Sequence, residues 1–203
     1  MIHLRIGAVL ASLVVSLAAA CGVPTPTSIL SGPKIDPADP QLIAIRDASH
    51  LEPCPAPEGV DGGLPQVTLP CLGGGRRVSL DRLKGPVLIN FFQGFCEPCK
   101  QEMPALEAFY KKYGKSVRVV GIDTLDTIPG VALKEAVQRG VTFPLLADLN
   151  GVLQRTPLAV AHVPTTWALD SAGHLHFIQA GGMRSVDEIV GLLASRAGID
   201  ALD

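Results

Sequence analysis

Aromatic side chains and net charge are both scarce in this 203-residue chain. Phe, Trp and Tyr make up 4% of the residues, and the formal net charge is −2 at pH 7. Proteins that bind nucleic acid use basic surfaces or stacked aromatic rings, so we expect no nucleic-acid partner. Long apolar runs are also missing, because the fifteen uncharged residues from Ile6 to Ala20 are too few for a comfortable membrane span.

The first twenty residues predict an export signal instead. Arg5 precedes the apolar run, and small residues end it directly before Cys21. We therefore predict a signal peptide over residues 1–20. The Ala-Ala-Ala-Cys ending resembles a bacterial lipobox, although Leu17 lies four residues before the cysteine, where that pattern usually has leucine three before. The resemblance implies a lipid on Cys21 and a location on the extracytoplasmic side of the cell membrane. Ordinary secretion with a free Cys21 is the alternative.

Residues 21–53 are rich in proline and show no sustained period. We predict that they form a lipid-anchored linker, which holds the following domain, residues 54–203, away from the membrane. The prolines are Pro24, Pro26, Pro33, Pro37, Pro40 and Pro53.

The chain has five cysteines, an odd number for an oxidising compartment. If Cys21 carries a lipid, the other four can pair in three ways. Cys96 and Cys99 are the natural redox pair, which leaves Cys54 and Cys71 to form a structural disulfide. That bond would close the loop-rich segment between them and stabilise the fold by ~3 kcal/mol. A second redox pair is the alternative.

The most informative motif is Cys96-Glu97-Pro98-Cys99. It follows a continuous apolar run, 87–92, which is typical of a buried parallel strand, and it precedes a segment with helical periodicity, 101–113. A Cys-x-x-Cys pair between a strand and a helix is typical of a redox site. The partial positive charge of a helix N-terminus favours the thiolate, which is the nucleophile in disulfide exchange.

Alternating strand and helix patterns continue to the end of the chain. After the helix that follows the motif, the sequence predicts a strand, a helix, a short strand, a hairpin with its turn at 171–173, and a final helix. A capping box of Ser185 and Glu188 begins that last helix. This order predicts an α/β fold with a central mixed sheet, parallel first and antiparallel at the end, and with helices on both faces.

Over residues 65–200 these features resemble the thioredoxin fold, and in detail the TlpA/ResA-like thiol–disulfide oxidoreductases. Four features coincide. They are the Cys-x-x-Cys after a strand, Pro104 five residues beyond Cys99, Glu102 three residues beyond Cys99, and Val163-Pro164-Thr165-Thr166 before a strand.

The chain also departs from the family pattern. Phe95 replaces the usual tryptophan, and Gln93 and Gly94 replace small or hydroxyl residues. Asn90 occupies the place of a buried aspartate in cytosolic thioredoxins, which shifts the role of proton acceptor to Glu102.

We expect the residues of the motif to have separate roles. Cys96 is nearer the helix start and is the expected nucleophile, while Cys99 is the resolving cysteine. The resemblance assigns Glu102 as the acceptor of the Cys99 proton, and a solvated helix residue is the alternative. Glu97 is expected to limit the thiolate character of Cys96 by like-charge repulsion, unless it is an ordinary first-turn acidic residue. Pro98 presets the first turn.

The resemblance also implies a cis peptide bond before Pro164, which would face the cysteines. The backbone of Val163 would then pair with a substrate chain, and Thr165 is a second expected substrate-binding residue. For His162 we expect an ordinary loop histidine, and for Trp167 we expect core packing.

His174 and His176 place two imidazoles on one strand face. No further Cys or His stands at ligand spacing, so we expect no metal site. We also expect no cofactor.

These features predict a thiol–disulfide oxidoreductase that is anchored outside the cytoplasmic membrane, takes electrons from a membrane donor and reduces disulfides of exported proteins. The resemblance adds apocytochrome c as one substrate. A thiol oxidase of the same fold is the nearest alternative, because direction depends on potential and partner. A Cu(I) carrier that uses Cys96 and Cys99 is a non-enzymatic alternative. A peroxidase is disfavoured, because Ile89 and Gln93 stand where the peroxiredoxin pattern has Pro and Thr.

Overall fold

The computed structural model describes residues 35–56 and 63–200. The predicted signal peptide, residues 1–20, and the predicted lipid site at Cys21 lie outside the described residues and stay predictions. Among the described residues, every helix is too short or too polar to span a bilayer.

A five-stranded mixed sheet forms the centre of the molecule, in the order β5-β4-β3-β6-β7. β3 is parallel to β4, and β4 is parallel to β5, whereas β6 and β7 add antiparallel on the other side. The prediction of a mixed sheet is therefore confirmed. The strands are β1 Thr68–Pro70, β2 Arg77–Ser79, β3 Val87–Phe92, β4 Arg118–Thr124, β5 Leu145–Asp148, β6 Thr165–Leu169 and β7 Leu175–Ala180.

Strand β3 is buried along its whole length because both faces of the sheet are covered. Leu88 and Phe92 face a core cluster that includes residues of all four α-helices. Val87, Ile89 and Phe91 face a second cluster, which draws on the β1–β2 hairpin and two short 3-10 helices, Leu80–Arg82 and Val152–Arg155. Helices do cover both faces as predicted, but those of the second face are 3-10 turns. The α-helices are α1 Pro40–Asp47, α2 Glu97–Tyr113, α3 Pro129–Gln138 and α4 Val186–Ala197.

Helix α4 begins with the capping interaction that the sequence indicates. The Ser185 hydroxyl oxygen accepts a hydrogen bond from the backbone N–H of Glu188 at 3.1 Å. The Glu188 carboxylate accepts from the N–H of Arg184, one residue earlier than in the standard capping box. The first of these bonds satisfies an N–H group that a helix start leaves unpaired.

The N-terminal extension of the domain, residues 54–56 and 63–79, attaches to the outer edge of the sheet. β1 and β2 form a small antiparallel pair, and a disulfide joins Cys54 to Cys71. Cys71 bridges to Leu146 of β5, and the N–H of Leu72 donates to the carbonyl oxygen of Leu145 at 2.9 Å. The extension thereby pairs with the backbone of β5.

The described part of the predicted linker is folded, which corrects the boundary at residue 53. Residues 40–47 form α1, whose first residue is Pro40 and whose N-cap is Asp39. Leu42 is buried in the core, and the Arg46 guanidinium donates to the backbone oxygens of Leu72 and Glu52. Proline is favoured in the first turn of a helix, so Pro40 is compatible with α1. The burial of Leu42 then packs this helix against the domain.

Candidate active site

The cysteine pair lies where β3 ends and α2 begins. Cys96 is the N-cap of α2, and a disulfide joins it to Cys99 one turn into the helix, with 5.2 Å between the Cα atoms. Cys99 has no exposed surface, whereas Cys96 is half-buried. The preceding side chain, Phe95, is 68% exposed. A reagent or protein partner that approaches this surface therefore meets Cys96 first.

The backbone at the start of α2 is arranged to stabilise negative charge on Cys96. Its sulfur accepts a hydrogen bond from the N–H of Cys99 at 3.2 Å. Pro98 occupies the first turn, where a missing N–H removes no helical hydrogen bond. The helix dipole adds its positive end at the same place, so a thiolate at Cys96 would be favoured after reduction.

Glu102 is buried behind the cysteines on the inner side of α2. Only 1% of its surface is exposed, which rules out the alternative of a solvated helix residue. One carboxylate oxygen accepts from the side-chain amide of Asn90 at 2.7 Å, and the other accepts from the N–H of Met183 at 3.1 Å. Burial raises the pKa of Glu102 to about 7, although these two hydrogen bonds act to lower it. Glu102 can therefore gain or lose a proton near neutral pH.

Asn90 fixes the position of this carboxyl group. Its amide nitrogen lies 3.2 Å from the Thr166 hydroxyl as well as contacting Glu102, so it connects β3, α2 and β6. The sequence indicated Asn90 only as a replacement for an aspartate. Asn90 is the single polar residue of the apolar strand β3. Because buried polar side chains are hydrogen-bonded, this position could have been used to predict a buried polar partner.

Glu97 faces solvent at the rim of the site. Its side chain is 65% exposed and lies 3.9 Å from the ammonium group of Lys100. It also accepts a hydrogen bond from Gln101 at 3.2 Å. The negative charge that was predicted to act on Cys96 thus has a positive neighbour one turn along α2, which weakens its repulsion of a thiolate.

Pro164 begins the segment that leads into β6. The Val163–Pro164 peptide bond is cis, as the sequence resemblance implied, and a second cis bond, Gly85–Pro86, was not foreseen. Val163 is half-buried, and its backbone stays a predicted substrate contact. The Thr165 hydroxyl is buried and donates to the backbone oxygen of His162 at 2.8 Å. The substrate-binding role of Thr165 stays a prediction.

A small cavity of about 120 Å³ separates the loop before Cys96 from the loop before Pro164. The Gln93 amide donates to the backbone oxygen of Thr124 at 2.8 Å, which holds the first loop to the end of β4. The cavity therefore adjoins both loops that carry the predicted site residues. Its lining residues are Gln93, Thr124, Leu125, Val160, Ala161, His162 and Val163.

Two buried aspartates below the first loop, Asp123 and Asp126, were not predicted from the sequence. Asp126 accepts from the backbone N–H groups of Gly94 and Ile128, each at 2.7 Å, and so ties the loop to the start of α3. Asp123 is fully buried, and both its carboxyl oxygens lack a partner among the described residues. Burial raises the pKa of Asp123 well above its usual range, and the charge of Asp126 adds to this, so the protonated form is favoured.

The remaining predicted residues lie away from this site. Cys54 and Cys71 belong to the second core cluster, and both are buried. Trp167 packs edge-on against Phe177 with 5.4 Å between ring centroids, which agrees with a packing role. The structure therefore brings together Cys96, Cys99, Glu102 and Pro164 around the end of β3, and keeps the other cysteines apart from them.

Comparison with known proteins shows that the chain is similar to thioredoxin-like proteins. The model of the AhpC/TSA family matches residues 60–178. The thioredoxin-like protein YneN of Bacillus subtilis is 35% identical over 112 residues, which cover 54% of this chain and 65% of that protein. The thiol–disulfide oxidoreductase ResA of Bacillus thuringiensis is 34% identical over 102 residues, which cover 49% of this chain and 57% of ResA. The chain thus spans less than two thirds of the length of these two relatives.

A solved structure extends the comparison over more of the chain. The structure of MTB dsbF (Mycobacterium tuberculosis), in its mixed oxidized and reduced forms, superposes with a TM-score of 0.56 and 26% identity. The match covers 68% of this chain and 98% of dsbF. The thioredoxin-like fold is thereby shown for the greater part of the described residues.

Proposed function

The chain belongs to the AhpC/TSA family of thioredoxin-like proteins, and from this we propose that it is a thiol–disulfide oxidoreductase that reduces disulfides of exported proteins. One observation carries the proposal. A half-buried cysteine at the N-terminus of a helix is paired with a fully buried cysteine one turn later, and a buried carboxyl group with a pKa of about 7 lies behind them. That arrangement has the parts that dithiol exchange requires.

In the first step, the Cys96 thiolate of the reduced protein attacks one sulfur of a substrate disulfide. A bond forms between Cys96 and that sulfur, and the substrate S–S bond breaks. The other substrate sulfur leaves as a thiolate and takes a proton from water. The N–H of Cys99 and the positive end of the α2 dipole stabilise the attacking anion.

In the second step, Cys99 resolves the mixed disulfide. Its thiol gives a proton to the Glu102 carboxylate, which lies one turn further along the buried side of α2. The resulting thiolate attacks the sulfur of Cys96, the bond to substrate breaks, and the second substrate sulfur leaves as a thiolate. Two electrons have moved to the substrate, and the Cys96–Cys99 disulfide present in the structure is the product.

The names of the relatives support the same activity. ResA of Bacillus thuringiensis is named a thiol–disulfide oxidoreductase. We extend the proposal to a lipid anchor on Cys21, a location on the extracytoplasmic side of the cell membrane and a membrane protein as electron donor. These extensions rest on the sequence pattern of residues 1–21. Apocytochrome c is a candidate substrate on the family resemblance alone.

Thiol labelling tests the assignment of the two cysteines. The full chain is reduced, treated with limiting iodoacetamide and mapped by mass spectrometry. We expect Cys96 to be alkylated first, because Cys99 has no exposed surface. The Cys99→Ser variant is expected to accumulate a mixed disulfide with a test peptide that carries one disulfide, whereas Cys96→Ser accumulates none. Preferential labelling of Cys99 would contradict the proposal.

The direction of electron flow is a separate measurement. Equilibration with glutathione buffers gives the reduction potential of the Cys96–Cys99 couple. A value of about −270 mV, as in thioredoxin, supports the reductase, and a value of about −120 mV identifies an oxidase instead. An insulin-reduction assay run beside hydrogen peroxide turnover distinguishes both from a peroxidase.

A further inference from the structure

Three metal-ligating side chains meet on the hairpin between β6 and β7. Asp170 directly follows β6, His174 directly precedes β7, and His176 lies within β7. One ligand atom from each of the three lies within 4.8 Å of the other two. The Asp170 Oδ2 atom is 3.1 Å from His174 Nδ1 and 2.9 Å from His176 Nε2.

The hairpin holds these groups in place. The N–H of Asp170 donates to the backbone oxygen of His174 at 3.0 Å, and the register pairs Ala168 with His176. Directly opposed residues of an antiparallel pair project from the same face, so the aspartate and both histidines share one face.

The second oxygen of Asp170 is used by the turn itself. Oδ1 accepts from the N–H groups of Ala172 and His174, each at 2.9 Å. This Asx-type turn fixes the carboxylate plane and leaves Oδ2 to face the two imidazoles. The orientation of Asp170 is therefore set by the backbone, independently of the histidines.

The spacing of the three atoms suits a metal ion. Ligands bonded to one transition-metal ion at about 2.0–2.2 Å lie roughly 3 Å apart at their closest. The two separations from Oδ2 are of this size, and all three ligand atoms lie within 4.8 Å of one another. Two imidazole nitrogens and one carboxylate oxygen are ligands typical of Zn²⁺ and its neighbours in the first transition row. Asp170 was not predicted as a ligand, because the expectation of no metal site considered only further cysteine and histidine residues.

We propose that Asp170, His174 and His176 form a binding site for a divalent transition-metal ion, with water completing the coordination. The site is distinct from the redox centre, because it lies at the opposite end of β6 from Pro164. Six residues of extended chain separate the two ends by about 20 Å. A metal ion bound there would stabilise the turn between β6 and β7 and would not contact the cysteine pair.

Calorimetry with ZnCl₂ tests the site. The full chain is prepared without lipid, in its oxidised state, and Cys21 is blocked by iodoacetamide, so that no thiolate competes for the metal. We expect saturable binding of one Zn²⁺ per chain at this site. His174→Ala and His176→Ala should each weaken that binding by about tenfold or more.

Asp170→Asn is the most selective variant. An asparagine oxygen can still accept the two N–H bonds of the turn, while the anionic ligand is lost. We expect it to keep the circular dichroism spectrum and to weaken Zn²⁺ binding by at least about tenfold. His50→Ala, which removes an exposed histidine of the N-terminal segment, is the matched control and should bind Zn²⁺ as the parent does.

Histidine ring resonances locate the bound ion. Zn²⁺ should shift the ring signals of His174 and His176 in ¹H–¹³C spectra and leave those of His50 unchanged. Absence of saturable binding would overturn the proposal. So would parental affinity in Asp170→Asn and His176→Ala, because hydrogen bonds between these residues would then be their whole role.

Discussion

Glu102 shows how one buried side chain balances opposing effects. Burial disfavours its ionised form, while hydrogen bonds from Asn90 and Met183 favour it, and burial is the larger effect. The outcome is a pKa of about 7 in place of the 4.5 of an exposed glutamate. A fully paired carboxylate would be too weak a base to accept a thiol proton, and an unpaired one would stay protonated at neutral pH.

The raised pKa of Glu102 predicts a contribution to the pH dependence of stability that Glu102→Gln removes. Between pH 4.5 and 7 the folded state holds a proton at Glu102 that the unfolded state has released, so the free energy of unfolding falls as pH rises through this window. The full effect is roughly 3 kcal/mol. Urea unfolding at a series of pH values measures the slope. The variant should show a flatter profile, even though its single amide oxygen can accept from only one of the two donors, Asn90 and Met183.

Substitution of an exposed glutamate, Glu52→Gln, is the control and should leave the slope between pH 4.5 and 7 unchanged. A parental slope in Glu102→Gln would show that another group carries the proton.

Glu97 provides a second prediction at the same scale. Replacing it with glutamine removes a negative charge next to Cys96, so the thiolate should form more readily. The pH midpoint of iodoacetamide labelling at Cys96 should move down, by about a few tenths of a unit because Lys100 lies 3.9 Å from Glu97. An unchanged or higher midpoint would contradict the predicted role.

At the scale of helices and strands, the elements that have a clear local sequence pattern were predicted. The continuous apolar run gave β3, and the Cys-x-x-Cys marked the start of α2. The helix α1 was missed because eight residues with one buried leucine have little periodicity, and the stability of such a helix comes from packing. The partners of Glu102 were missed because Asn90 and Met183 are 12 and 81 residues away along the chain.

The docking of α1 predicts a contrast between two neighbouring residues. Leu42 is 5% exposed and Ile43 is 36% exposed. Leu42→Ala should lower the free energy of unfolding by about 2 kcal/mol or more, because it leaves a cavity against α3. Ile43→Ala should change it by less than about 0.5 kcal/mol. Chemical denaturation of both variants measures the difference, and equal small losses would mean that α1 is not part of the cooperative unit.

At the scale of the whole molecule, we expect one disulfide to be catalytic and the other to be structural. Cys96–Cys99 lies at the solvent-facing end of β3, whereas Cys54–Cys71 is enclosed, with its cysteines 3% and 2% exposed. The double variant Cys54→Ala/Cys71→Ala should lose about 3 kcal/mol of unfolding free energy, because the bond closes a loop between residues 17 apart in sequence. The variant should still reduce insulin when it is assayed at a low temperature at which it remains folded.

Loss of insulin reduction with parental stability would identify Cys54 and Cys71 as a second redox pair instead. The matched variant Cys96→Ala/Cys99→Ala should show the reverse result, with activity abolished and a smaller change in stability, since its bond closes only a short loop.

The pairing of Cys71 and Leu72 with β5 has a consequence for self-association. An uncovered strand at the rim of a sheet invites backbone hydrogen bonds from a second molecule, and such contacts can propagate into aggregates. By occupying that rim, the extension prevents β5 from serving as a template. Reductant strong enough to open Cys54–Cys71 should therefore make solutions of the protein turbid, while milder reductant that opens only Cys96–Cys99 leaves them clear.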